Sequence, residues 1–165
     1  GKAVYHKCAD GDYIDMQWIR ASASMPVVSR LVPLDGRLLS DGGAADSIPV
    51  KWFSSIGYEH CVVILTQPLG YRKPAVSKPM LLRKALSSYP ALAETLIDRP
   101  RLYNETLDYI AQKEIEGSVL VIRPSTPLLV GKVERNPKKL KDAYETGRCD
   151  ALARLNEIKS FVEMK

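Results

Sequence analysis

The chain has 165 residues, of which 45% are hydrophobic and 26% are charged, and its net charge at pH 7 is +5. These values are ordinary for a globular domain, and no apolar run is long enough for a bilayer-spanning helix. This segment shows no signal peptide either. We therefore expect one domain over 1–165, with a helical tail over 137–165, in a cytoplasmic protein that could also contact a membrane surface peripherally.

Four apolar, β-rich runs predict strands, and helical patterns separate them. The last two strands are almost continuously apolar, as is typical of strands buried in a parallel sheet. Strands that alternate with helices predict a three-layer α/β domain with a mostly parallel sheet flanked by helices. The predicted strands are 2–7, 37–40, 60–66 and 118–122, and the predicted helices are 15–25, 48–56, 81–87, 91–98, 101–116 and a tail from 138 that breaks near 147.

The three cysteines, Cys8, Cys61 and Cys149, are odd in number and lack the spacing of metal ligands. Such usage is typical of a reducing compartment. His6 and His60 flank predicted strands, where a surface or strand-edge role is favoured over catalysis or metal binding. We expect neither a metal nor a cofactor.

The tetrad Ser40-Asp41-Gly42-Gly43 closes the second predicted strand and opens a turn that leads into the next helix. The Asp41 carboxylate is therefore expected just beyond the carboxyl end of a strand, where open α/β sheets place their sites. The two glycines let the backbone turn tightly and let a second group approach closely. Two interpretations fit: a positioned general base, or a tight turn in which Asp41 bonds to its own backbone. The tetrad alone favours the turn.

Flanking motifs change this balance. Arg-Ala-Ser-Ala-Ser-x-Pro over 20–26, Asp-Gly-Gly over 41–43 and Asp-Ser-Ile-Pro-Val over 46–50 occur in that order, which resembles the patatin-like phospholipase family. Val-Ile-Arg-Pro-Ser over 121–125 and the later Lys-Leu, Tyr and Gly at 139–140, 144 and 147 resemble the tail of a bacterial branch of that family. The resemblance runs from about residue 4 to the C-terminus and is strongest around Asp41.

Patatin-like enzymes hydrolyse lipid acyl esters with a Ser–Asp dyad. The resemblance therefore implies that Asp41 is the catalytic base, that Gly42 and Gly43 form the active-site turn, and that the substrate is a phospholipid or another acyl ester. Asp41 would accept the proton of the serine directly, and would later activate the water that releases the acyl group.

The serine half of such a site is missing from the sequence. The ten glycines include no pair four positions apart, so there is no Gly-x-Ser-x-Gly elbow, and the glycine-rich oxyanion loop of the family is absent too. Ser22 and Ser24 lie on a helix-like stretch without the strained strand–turn–helix geometry of a nucleophile, so we interpret them as structural. We expect the base-bearing C-terminal part of a hydrolase, inactive alone, whose unpaired sheet edge promotes self-association.

A basic segment follows the third predicted strand and contains no acidic residue. One interpretation is a patch that attracts anionic phospholipid, in which case the chain could be a truncated module that binds lipid or a protein partner without catalysis. The other is a solvated loop, which is the commoner outcome for a charge run. We expect no nucleic-acid binding, because few aromatic residues interleave with the charges. The basic residues are Arg72, Lys73, Lys78, Arg83 and Lys84.

Overall fold

The computed structural model describes residues 1–131 and 133–163. It is about 48% helical and contains two sheets of two strands each, so the prediction of a three-layer, mostly parallel α/β domain is wrong. No helix in the described part of the chain is long and apolar enough to cross a bilayer. In chain order the elements are α1 (Tyr13–Ser22), β1 (Val32–Leu34), β2 (Arg37–Leu39), a 3-10 turn (Gly42–Ala44), α2 (Val50–Ser55), β3 (Cys61–Ile64), α3 (Pro79–Ala85), α4 (Pro90–Ile115), β4 (Val119–Ile122), α5 (Pro137–Ala153) and α6 (Leu155–Glu163).

The chain forms two compact units that interleave in the sequence. The first unit comprises Gly1–Pro49 and Lys73–Thr106, and the second comprises Val50–Arg72 and Leu107–Lys165. The first unit therefore contains α1, the β1–β2 pair, the 3-10 turn, α3 and the first part of α4. The second contains α2, the β3–β4 pair, the rest of α4, α5 and α6.

In the first unit, β1 and β2 form an antiparallel hairpin in which Val32 pairs with Leu39 and Leu34 with Arg37. Its two-residue loop is Asp35-Gly36, and both residues have positive φ angles, of 52° and 67°. This is the backbone that a tight hairpin turn requires and that an Asp-Gly pair favours. The predicted strand at 37–40 is thus present, but its partner is the segment just before it and not a parallel strand.

The predicted strand at 2–7 is absent from the structure. A strand needs a neighbour for its backbone hydrogen bonds, and no described strand pairs with this segment. Side chains hold the segment instead. The Tyr5 hydroxyl donates to Asp46 Oδ2 at 2.5 Å, and the His6 ring stacks on Trp18 with 4.4 Å between ring centroids. Burial and the hydrogen bond to Asp46 raise the pKa of Tyr5 to about 12.

In the second unit, β3 and β4 pair in parallel, as their apolar sequences predict, with Val63 opposite Val121. Val119, Leu120 and Val121 are buried on β4, whereas Ile64 on β3 is exposed. The pair is therefore covered less completely than a strand in the middle of a parallel sheet. Helix α6 contributes Phe161 to the same core, and α4 contributes Ile110.

Two predicted helix boundaries are wrong. Helices predicted at 91–98 and 101–116 are one helix, α4, that runs through Pro100. A proline in a helix interior loses one backbone bond and crowds the preceding turn, yet α4 continues through Pro100, which is buried. The tail breaks at Arg154 and not at Gly147. A glycine inside a helix lowers its stability by only about 1 kcal/mol, so the helix continues through Gly147. At Arg154, where the helix ends, the side chain bonds to the Val121 carbonyl and to Glu157.

The core of the second unit can be tested on α4. Ile110 is 1% exposed and Ile115 is 88% exposed on the same helix. We expect Ile110→Ala to lower the free energy of unfolding by about 2–5 kcal/mol, because it leaves a cavity, and Ile115→Ala to change it by less than about 0.5 kcal/mol. Urea denaturation followed by circular dichroism measures both, and equal effects would contradict this placement of the core.

Candidate active site

Asp41 lies directly after β2 and caps the 3-10 turn that follows. Its Oδ1 accepts the backbone N–H of Gly43 at 2.7 Å. Among residues 1–131 and 133–163, no donor bonds to Oδ2 and no cation forms an ion pair with the carboxylate. The structure therefore shows the turn that the tetrad predicts, and it also leaves one carboxylate oxygen available to accept a proton.

The carbonyl of Ser24 holds the start of this turn. It accepts the backbone N–H of Asp41 at 2.8 Å and the hydroxyl of Ser40 at 3.0 Å. Ser24 is buried, and its own hydroxyl donates to the Arg20 carbonyl at the end of α1. The last serine of the Arg-Ala-Ser-Ala-Ser motif thus holds the backbone of Asp41 through its carbonyl. Its hydroxyl is already bonded to the Arg20 carbonyl of α1.

Ser22 lies on the other side of the same turn and is exposed. A Cβ atom added to Gly42 would be 3.4 Å from the Ser22 hydroxyl, so α1 and the turn approach each other closely. A Cβ atom added to Gly43 would be 3.0 Å from Asp41 Oδ1. Since real Cβ contacts are rarely so short, Gly43 preserves the position of the carboxylate.

Arg99 on α4 fixes the far end of the turn, a role that no local sequence pattern indicates. Its Nε donates to the Gly43 carbonyl at 2.5 Å and lies 3.2 Å from the Ser47 hydroxyl. Ser47 in turn donates to the Gly43 carbonyl at 2.7 Å. Gly43 is 56 residues from Arg99, and no local pattern marks an arginine in a helix as the partner of a distant turn.

Asp41, Gly42 and Gly43 lie on the wall of a pocket of about 570 Å³ in the first unit. This volume falls within the range of small-molecule sites, about 300–1,000 Å³. Apolar side chains, among them Leu38, Leu39 and Leu92, form much of the remaining wall. The arrangement suits an apolar ligand that presents one polar group to the carboxylate.

The predicted basic residues are partly neutralised, and they belong to different units. In the second unit, Arg72 forms an ion pair with Asp108. In the first unit, Arg83 pairs with both carboxylate oxygens of Glu94, at 2.6 and 2.9 Å, and Lys73 Nζ lies 4.5 Å from the centre of the Tyr103 ring. Lys78 and Lys84, at the two ends of α3, are exposed and have no ion-pair partner within the described ranges.

A family model described as a domain of unknown function, DUF6363, matches residues 89–163. No curated protein and no solved structure matches the chain. The matched region contains Arg99, β4, α5 and α6, but it does not include Asp41. The function of that family is unknown, so the match leaves the resemblance to patatin-like phospholipases a prediction.

The role of Arg99 can be tested by a conservative change. We expect Arg99→Lys to lower the free energy of unfolding by about 1–2 kcal/mol, because lysine keeps the charge but cannot reproduce the Nε–H bond to the Gly43 carbonyl. Arg101→Lys is the control, since Arg101 forms only exposed ion pairs with Asp98 and Glu105, and it should change stability by less than about 1 kcal/mol.

Urea denaturation gives both free energies, and the amide resonance of Gly43 reports the turn itself. A shift of that resonance in Arg99→Lys alone is expected. An unmoved Gly43 resonance together with unchanged stability would show that Arg99 does not hold the turn.

Proposed function

We propose that this chain supplies the general base, Asp41, of a lipid acyl ester hydrolase that works with a Ser–Asp dyad. The observation that carries the proposal is the Asp41 carboxylate on the wall of a largely apolar pocket, with Oδ1 fixed by Gly43 and with Oδ2 receiving no hydrogen bond from the described residues. The order of motifs around it, which resembles that of patatin-like phospholipases, supports the same function.

In this mechanism a serine hydroxyl donates its proton to Asp41 as its oxygen attacks the ester carbonyl. Asp41 passes this proton to the leaving alkoxide oxygen, so the alcohol departs and the acyl group stays on the serine. The ionised Asp41 then takes a proton from the water that attacks the acyl-enzyme and returns it to the serine oxygen as the fatty acid is released. The Ser24 carbonyl and Arg99 would keep Asp41 in place through both steps, because each binds the backbone of its turn.

The chain as given offers no Gly-x-Ser-x-Gly nucleophile, so we expect it to be inactive alone. A hydrolase needs nucleophile, base and oxyanion donors together, because all three act on one transition state.

The base role predicts a large kinetic effect in a hydrolase that unites this chain with its serine segment. Asp41→Asn should lower kcat by about 10²–10⁴-fold, because the amide cannot accept the serine proton, while the thermal midpoint changes little. Turnover of a p-nitrophenyl acyl ester measures this effect. Asp35→Asn, in the exposed hairpin loop, is the matched control and should retain activity. Normal turnover in Asp41→Asn would eliminate Asp41 as the base.

A second candidate function is binding to anionic lipid surfaces through α3. This short helix carries Met80 and Leu81, which are exposed, between the exposed cations Lys78 and Lys84. Apolar side chains flanked by lysines suit the boundary between headgroups and acyl chains. Arg72 and Arg83 already form ion pairs, so they would contribute less to the attraction between the protein and an anionic surface.

This second candidate predicts binding to vesicles of phosphatidylserine and phosphatidylcholine that weakens as salt is raised. The double variant Lys78→Glu/Lys84→Glu should weaken binding at least about tenfold, since each lysine contributes roughly 1 kcal/mol near an anionic surface. Lys138→Glu/Lys141→Glu on α5 makes the same change in net charge and should bind almost as the unchanged chain does. Cosedimentation with vesicles measures the binding of the unchanged chain and of both double variants. Equal losses in the two double variants would show that net charge, and not α3, determines the binding.

A further inference from the structure

A separate group of side chains gathers where the N-terminal segment meets α1. A ring nitrogen of His6, the Sγ atom of Cys8 and a carboxylate oxygen of Asp15 all lie within 4.8 Å of one another. His6 Nε2 and Asp15 Oδ1 are 3.1 Å apart. None of the three residues lines the Asp41 pocket. They offer one nitrogen, one sulfur and one oxygen, which are the donor types that zinc accepts in proteins.

The Asp15 carboxylate is fixed by the backbone of the preceding loop. Its Oδ2 accepts the N–H groups of Ala9, Asp10 and Gly11 at 2.9, 3.1 and 2.9 Å, and the residue is only 6% exposed. These three bonds leave Oδ1 as the oxygen that faces His6. A carboxylate that is already oriented by hydrogen bonds loses little freedom when it binds a metal.

The His6 ring is also held in place. It is nearly parallel to the Trp18 ring, with an angle of 5° and 4.4 Å between centroids. Trp18 lies on α1, one turn from Asp15, so the same helix orients both the imidazole and the carboxylate. The stacking keeps Nε2 directed at Asp15 Oδ1.

A nucleophilic cysteine is the competing interpretation of a Cys–His–Asp group. The thiolate is the active form of the cysteine in both cases. Metal binding through the Cys8 sulfur therefore distinguishes a ligand set from a nucleophile.

We propose that His6, Cys8 and Asp15 bind one Zn²⁺ ion through Nε2, Sγ and Oδ1, with a water molecule as the fourth ligand. Zinc–ligand bonds of about 2.0–2.3 Å place the atoms of a tetrahedral site about 3.3–3.6 Å apart. Separations of 3.1 Å and at most 4.8 Å approach this geometry with side-chain movements of about 1 Å. The Cys8 S–H bond breaks as the sulfur–zinc bond forms, its proton passes to solvent, and the His6 proton resides on Nδ1.

The ion would fasten the N-terminal segment to α1. Residues 2–7 form no strand, yet Gly1 to Tyr5 contribute to the wall of the Asp41 pocket. A metal that ties residues 6 and 8 to Asp15 thus completes that wall without touching Asp41. The role of the ion is structural, and the proposed zinc site does not depend on whether Asp41 acts as a base.

The test uses the 165-residue chain and Co²⁺, whose thiolate charge-transfer band in the near ultraviolet reports a sulfur ligand. One equivalent of Co²⁺ should produce the band, and Zn²⁺ should abolish it. Cys8→Ser should remove the band, and both Cys8→Ser and His6→Ala should weaken Zn²⁺ binding at least about tenfold in competition with a chelating indicator.

Cys149→Ser and His60→Ala are the matched controls, because both residues are exposed and belong to the second unit. They should keep the band and the affinity. Circular dichroism establishes that each variant is folded, and His6→Ala gives a second ligand deletion that leaves the thiol intact. A band that survives Cys8→Ser, equal affinities in all four variants, or no band with the unchanged chain would overturn the proposal.

Discussion

The hydrogen bond from the Asp41 amide to the Ser24 carbonyl is the constraint on which the first unit depends. It joins the end of α1 to the end of the β1–β2 hairpin, and the Ser40 hydroxyl reinforces it by donating to the same oxygen. Small residues make this possible, since Ala21 and Ser24 are both buried where helix and turn meet. A larger side chain at these positions would separate the turn from the helix and move the carboxylate away from its pocket.

Arg99 also stabilises this turn, and it lies in the part of the chain that the DUF6363 model matches. The DUF6363 match begins at residue 89, well after the Asp-Gly-Gly motif, yet the matched region supplies the guanidinium that binds Gly43. The carboxylate itself carries no counter-ion among the described residues, so Arg99 acts on the backbone of the turn and leaves the charge of Asp41 unpaired. Such an arrangement positions a base without neutralising it.

Local features of this protein could be predicted from its sequence, whereas long-range partners could not. The two glycines after Asp41 predict its turn, and the continuous apolar runs predict the parallel β3–β4 pair. The prediction of a three-layer sheet is wrong because an alternation of strands and helices does not specify which strands pair. Residues 2–7, for example, have no pairing partner in the described structure. The hairpin is predictable too, since an Asp-Gly pair between two apolar runs is typical of a two-residue hairpin loop. Arg99 and the His6–Cys8–Asp15 group depend on tertiary proximity, which no spacing in the sequence reveals.

The interleaving of the two units has a consequence for synthesis on the ribosome. Residues 1–49 leave the ribosome before the guanidinium that binds Gly43, which follows 56 residues after that glycine and after residues 50–72 of the second unit. During that interval the Asp41 turn has its bonds to Ser24 and Ser47, but the side chains of α4 have not yet been made. Neither unit can fold to completion before most of the chain has been translated. The order of the segments therefore prevents residues 1–49 from completing their unit as they emerge, and the Asp41 turn gains its bond to Arg99 only when α4 has been made.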